Sequence, residues 1–158
     1  AIGETGLDKN LSISFDKQTK YFINQLHNSE KYQLPVILHC VKSWNELSKI
    51  KSELSAVQPW IFHGFRKTNL VDSVLKSNVK LSIGTHVLWD KRLQDCVKEI
   101  PLKHLFLETD NDRRFTIQEV YSKVASLKNI SLQTLEKQLY LNTINTFKKW
   151  EIGLKGQN

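Results

Sequence analysis

The stretch Leu105-Phe106-Leu107-Glu108-Thr109-Asp110 carries three apolar residues into two carboxylates, and Asn111, Asp112, Arg113 and Arg114 follow. A short apolar run of this kind, bounded by turn residues, predicts a strand buried on both faces, as in a parallel sheet. If the strand extends through Asp110, then Glu108 and Asp110 point one way and Thr109 the other. Carboxylates at a buried strand end are costly unless something pairs with them. Two upstream segments have the same design. Pro35-Val36-Ile37-Leu38 ends in His39, and Pro59-Trp60-Ile61-Phe62 ends in His63.

Working outward, strand and helix patterns alternate about five times. Residues 1–8, Ala1 to Asp8, read as a strand end plus a loop in which Gly3 and Gly6 turn the backbone around Glu4. Helices are expected at about 14–32, 43–54, 68–77, 91–100, 117–128 and 131–150. Ser43 with Glu46, and Thr116 with Glu119, have capping-box spacing, and Ser131 reads as a cap. Val79-Lys80-Leu81-Ser82-Ile83 alternates and predicts a strand with one wetter face, leading into Gly84-Thr85-His86. Such alternation gives an α/β fold with a parallel sheet and right-handed crossovers. Both an open doubly wound sheet and a closed barrel satisfy it. In either, ligands bind at the carboxyl ends of the strands, where Glu4, His39, His63 and Asp110 all fall.

The 158 residues are 40% hydrophobic, enough for one domain with a sizeable core. No apolar run reaches the roughly 18 residues of a membrane span, so a membrane role is not expected. The formal net charge is +7 and the pI about 9.4. That balance favours polyanionic partners, although the lysines are scattered as on an ordinary solvated surface. Cys40 and Cys96 have neither metal-binding nor redox spacing and read as small buried residues of a cytoplasmic protein. The opening Ala1-Ile2-Gly3-Glu4 reads as the middle of a strand, so sequence upstream of it is expected. Residues 1–150 are expected to form one domain and 151–158 a tail.

Imidazole and carboxylate groups converging on one rim suit Zn, Mn, Fe or Mg. Singly, each has a plainer role: a hydrogen-bonded structural histidine, a carboxylate on its own loop amides, a turn-capping aspartate. Four of them at four equivalent strand ends favour a metal site.

Gly3-Glu4-Thr5-Gly6-Leu7-Asp8, Leu34 to His39, Phe62-His63-Gly64-Phe65 and Glu108-Thr109-Asp110 together resemble the TatD-type metal-dependent hydrolases, in their shorter bacterial branch. The C-terminal helices with Asn142 and Phe147 are similar too. The resemblance implies a TIM-like (β/α) barrel, incomplete here because its first strands are absent, with one or two divalent metal ions such as Mg, Mn or Zn. By position, Glu4 resembles the carboxylate that bridges the metals, and His39 and His63 resemble ligands of the second metal. Asp110 resembles the residue that binds metal and takes the proton of the attacking water. The family's His-x-His pair does not occur in this chain, and is expected upstream of Ala1.

The resemblance implies metal-assisted phosphodiester hydrolysis, with nucleic acid, DNA foremost, as substrate and no protein partner. Lys9, Lys42 and Arg66 follow strand ends and are candidates to hold phosphate, with His86 on the same rim. Val41 and Asn111-Asp112 stand where many members have Arg and Ser-Pro, and these positions shape the substrate mouth. A hydrolase of small esters or amides, or a metal-free scaffold, remains the alternative.

Overall fold

The computed structural model describes residues 1–148. Five strands lie in one parallel sheet: β1 (Ile2–Asp8), β2 (Val36–Val41), β3 (Trp60–Phe62), β4 (Val79–Ile83) and β5 (Leu105–Leu107). They stand side by side in chain order, 1-2-3-4-5. This order decides between the two parallel architectures. A doubly wound sheet reverses direction at a switch point, whereas an unbroken progression is the arc of a (β/α) barrel.

The strands form because their side chains are apolar on both faces. Val36, Leu38, Trp60, Val79, Leu81, Ile83 and Leu105 have no solvent exposure. Six helices, α1 (Phe15–Tyr32), α2 (Trp44–Glu53), α3 (Val71–Lys76), α4 (Lys91–Glu99), α5 (Ile117–Lys128) and α6 (Leu132–Thr146), fill the connections and the C-terminal stretch. Phe22 of α1 meets Trp60 edge to face at 5.6 Å, and Trp44 of α2 stacks on Phe62 at 6.0 Å. Asn142 of α6 is buried and donates to the carbonyl oxygens of Leu102 and Leu105, at 2.7 and 2.8 Å. Replacing it with leucine leaves those carbonyls without this donor. We expect a loss of about 1–3 kcal/mol in urea denaturation; an unchanged midpoint would show that α6 does not depend on this bond.

Several expectations are corrected. Ile2 to Asp8 is a paired strand rather than a strand end plus loop, because Ile2, Thr5, Gly6, Leu7 and Asp8 all pair with β2. The last sheet strand stops at Leu107, and Asp110 has a left-handed backbone (φ 52°), so Glu108 and Asp110 do not share a strand face. No capping box forms at Ser43: its hydroxyl donates to the Leu7 carbonyl, and Glu46 pairs with Lys9. Tertiary partners win there over the local cap. At Thr116 and Glu119 no such competitor is present among the described residues, and the box is complete. The expected helix over 68–77 starts as a 3₁₀ turn, Thr68–Leu70, before α3. Ser82 on the expected wetter face of β4 is buried. Cys40 and Cys96 are free but only half-buried, and burial raises both thiol pKa values. The last helix ends at Thr146, and the expected tail, with Trp150, lies outside the described residues.

Candidate metal centre

The first strand brings its carboxylate to the rim by an irregularity. Ile2 stands opposite Val36 and Thr5 opposite Leu38, so three steps of β1 match two of β2. The extra residue is a bulge, which re-aims a side chain. Here it lies beside Glu4. Close approach of the two backbones requires the flanking glycines: a Cβ on Gly6 would lie 1.8 Å from the His39 carbonyl oxygen, and one on Gly3 would lie 2.6 Å from Ile37 Cβ.

Glu4 stands between His39, which lies inside β2 because that strand runs on to Val41, and His63, which follows β3. Its Oε1 is 3.6 Å from His63 Nε2 and its Oε2 is 3.9 Å from His39 Nδ1. Asp110 Oδ2 approaches the same His63 Nε2 at 3.7 Å. One donor atom each from Glu4, His63 and Asp110 lies within 4.8 Å of the others. Around a tetrahedral ion with bonds of about 2.1 Å, donors stand about 3.4 Å apart. Two carboxylates and an imidazole at these separations fit a hard or borderline divalent cation.

Each histidine is held from behind. His63 Nδ1 faces Glu108 Oε1 at 3.0 Å, which leaves Nε2 directed at Glu4 and Asp110. Glu108 in turn accepts from the Gly64 amide at 2.9 Å and from the Ser82 hydroxyl. These partners answer the question of how a carboxylate survives at a buried strand end. His39 Nε2 lies 3.2 Å from Asp8 Oδ2. The Asp8 pKa is lowered, first by the Asn10 amide and then by His39. Carboxylates behind ligand histidines fix ring orientation and raise ligand basicity.

Of the four expected ligands, Glu4, His63 and Asp110 lie close together, and among the described residues His39 approaches this group through the other oxygen of Glu4. Asp8 and Glu108, which lie beside His39 and His63, are not among the site residues expected from the sequence. Their signal was an acidic residue close along the chain to Glu4 and Asp110, in motifs already singled out.

The four candidate substrate contacts divide. Arg66 and His86 line one cavity with Gly64, Asp110 and Asp112. Lys9 and Lys42 line a different groove, with Glu46 and Lys67, and Lys9 is tied to Glu46. Lys9 and Lys42 thus do not line the cavity that contains Asp110. Burial lowers the His86 pKa, and the charge of Arg66 adds to this.

Asp112 accepts two bonds from the Arg114 guanidinium, at 2.9 and 3.0 Å, one from the Arg114 amide at 3.2 Å and one from the Thr85 hydroxyl at 2.8 Å. These hold its carboxyl well below the usual carboxylate range. A depressed carboxylate contributes stability that is present above its unfolded value, about 3.9, and is lost as pH falls through the lower folded value. The Asp112 carboxyl signal in NMR is therefore expected to remain that of an ion at about pH 3, and to show protonation there in Arg114→Ala. Titration near 3.9 in the unaltered protein would contradict this.

A sequential parallel arc of five strands with carboxylates and imidazoles gathered on one edge is the architecture of part of a TIM-like (β/α) barrel. The profile described as TatD related DNase matches residues 1–148, and the chain belongs to that family. It is 26% identical over 159 residues to an "Uncharacterized metal-dependent hydrolase" of Haemophilus influenzae, covering 90% of this chain and 63% of that protein. It is 31% identical over 122 residues to the "3'-5' ssDNA/RNA exonuclease TatD" of Erwinia billingiae, covering 70% of this chain and 44% of that one. The crystal structure of YJJV, a TatD homolog from Escherichia coli, superimposes with a TM-score of 0.83 at 24% identity, over 94% of this chain and 63% of that one. The chain thus spans less than two thirds of the length of these relatives. Among the described residues, no helix is long and apolar enough to cross a membrane.

Proposed function

We propose that the chain provides the larger part of a metal-dependent phosphodiesterase that acts on single-stranded nucleic acid, DNA foremost. The observation that carries this reading is the convergence of Glu4, His63 and Asp110 on one point, with His63 oriented by Glu108. Relatives named as metal-dependent hydrolases and as an ssDNA/RNA exonuclease support the reaction class and the substrate. Glu4, His63 and Asp110 would hold the ion, with His39 on the second oxygen of Glu4 available to another. A bound divalent cation supplies an activated water and offsets charge on phosphoryl oxygens.

The residues of the chain do the rest. Asp110 is more than half exposed and faces the cavity, so its free oxygen is placed to accept the proton of the attacking water. Arg66 lines the same cavity and is placed to bind a phosphate oxygen of the strand. Glu108 and Asp8 orient the imidazoles. The free thiols of Cys40 and Cys96 accord with a reducing, cytoplasmic setting.

Asp110→Asn preserves shape but removes the basic oxygen. We expect cleavage of single-stranded DNA to fall by about 10²–10⁴-fold with little change in melting temperature. Full activity in that variant would remove Asp110 from the proton path. Cleavage of small carboxylic esters but not of DNA by the unaltered protein would favour the alternative hydrolase.

A further inference from the structure

The 3₁₀ turn after β4, Thr85–Leu88, ends at an aromatic residue that the metal centre does not use. Trp89 is 45% exposed, unusual for the largest apolar side chain in a chain whose Trp44 and Trp60 are buried. It does not stand alone. Its ring centroid is 5.0 Å from that of His86 and 5.3 Å from that of Phe115. The Arg114 guanidinium lies over both Trp89 and Phe115, at 5.7 and 5.6 Å, and is itself fixed by Asp112. The result is an aromatic step whose geometry is set from the turn after β4 on one side and the segment before α5 on the other. His86 and Asp112 are shared between this step and the cavity that contains Asp110.

Those features point to a flat, uncharged ring as occupant. An exposed indole braced by two rings is a stacking surface, and every nucleobase has a π-face to place on it. A base in a duplex is already stacked and paired, so only an unpaired base can use the step without an unstacking cost. Burial and the nearby Arg66 both lower the His86 pKa, which favours an uncharged imidazole beside the base. Arg66 puts a cation in the cavity that His86 and Asp112 share with this step, where it can meet the phosphate next to a stacked base. We infer that Trp89, braced by His86 and Phe115, stacks an unpaired nucleobase next to the phosphate presented to Asp110. This rests on the nucleic-acid reading above and deepens it: the substrate is a single strand recognised through base stacking.

The test separates the two. Fluorescence anisotropy measures binding of labelled single-stranded oligonucleotides, one with normal bases and one abasic through its terminal nucleotides, and needs no turnover. The full chain is compared with Trp89→Ala and Trp89→Phe. Loss of a base stack is expected to weaken binding roughly 5- to 150-fold. The unaltered chain should therefore prefer the normal strand by about that factor. The preference should collapse toward one in Trp89→Ala and be largely kept in Trp89→Phe. Absence of any preference in the unaltered chain, or its survival in Trp89→Ala, overturns the stacking role, even if the strand is cleaved. If no strand is cleaved but the preference exists and depends on Trp89, the stacking role stands and the nuclease reading fails.

Discussion

Replacing His63 with alanine is expected to lower divalent cation affinity by more than about 100-fold and to abolish nucleic-acid cleavage. The size follows from position. His63 Nε2 is the atom that both Glu4 Oε1 and Asp110 Oδ2 approach, at 3.6 and 3.7 Å. Without it two carboxylates face each other with no neutral donor between them. Loss of a supporting partner alone typically lowers metal affinity 10–100-fold, so loss of the donor itself must exceed that. Glu108→Gln should fall inside the 10–100-fold range, because it alters the group behind Nδ1 and leaves Nε2 in place. His39→Ala should have a smaller effect than His63→Ala on the first ion, since among the described residues His39 faces Glu4 and Asp8 and not Asp110. Calorimetric titration with Mn or Zn orders the three variants. Unchanged metal content in His63→Ala, or in the double variant with His39→Ala, would dispose of the proposed centre.

The second large effect concerns a residue with no side chain. Gly6→Ala is expected to cost more than about 4 kcal/mol, in the range reserved for exceptional substitutions. Its Cβ would lie 1.8 Å from the carbonyl oxygen of His39, and 2.8 Å from the carbonyl carbon. Those atoms are backbone, so no rotamer change relieves the overlap; β1 must part from β2. Gly6 pairs with His39 itself, in the register that sets Glu4 against both histidines. Separation should therefore remove cation binding together with stability. Urea denaturation and metal titration of the same variant test the pairing of these losses. A Gly6→Ala protein that melts near the original temperature and still binds the ion would show that the strands are not held this closely. Gly64→Ala offers the comparison, since the nearest neighbour of its Cβ would be a Glu108 oxygen at 3.8 Å. Its cost should come from its positive φ of 59° alone and be smaller.

Much of this architecture is readable from local pattern. Apolar runs of three to five residues ending in histidine or acid mark β2, β3 and β5, and their burial confirms the pattern at Val36, Trp60 and Leu105. The Thr116 capping box forms as its spacing predicts, because only nearby atoms are needed. Glu4, His63 and Asp110 lie near one another although Glu4 is inside β1 and Asp110 lies beyond the end of β5, because residues toward the same edge of a parallel sheet share a rim.

Other features needed the assembled chain. Whether the sheet winds both ways or runs in one sense is a property of strand order, and 1-2-3-4-5 emerges only when the helices pack. Ser43 spends its hydroxyl on Leu7, 36 residues away, so the local cap signal misleads. Glu108 orients His63 across 45 positions, and Trp89 meets Phe115 across 26, distances over which residue spacing carries no information. What the sequence alone determined was the place of β2 to β5, the buried faces of β2, β3 and β5 and the edge at which chemistry-bearing side chains gather, because period and polarity are local. What only the tertiary structure decided was which of those side chains meet, which are braced from behind, and which lysines fall outside the cavity. Those outcomes depend on register and on backbone approach, and both are settled by packing between segments distant in the chain.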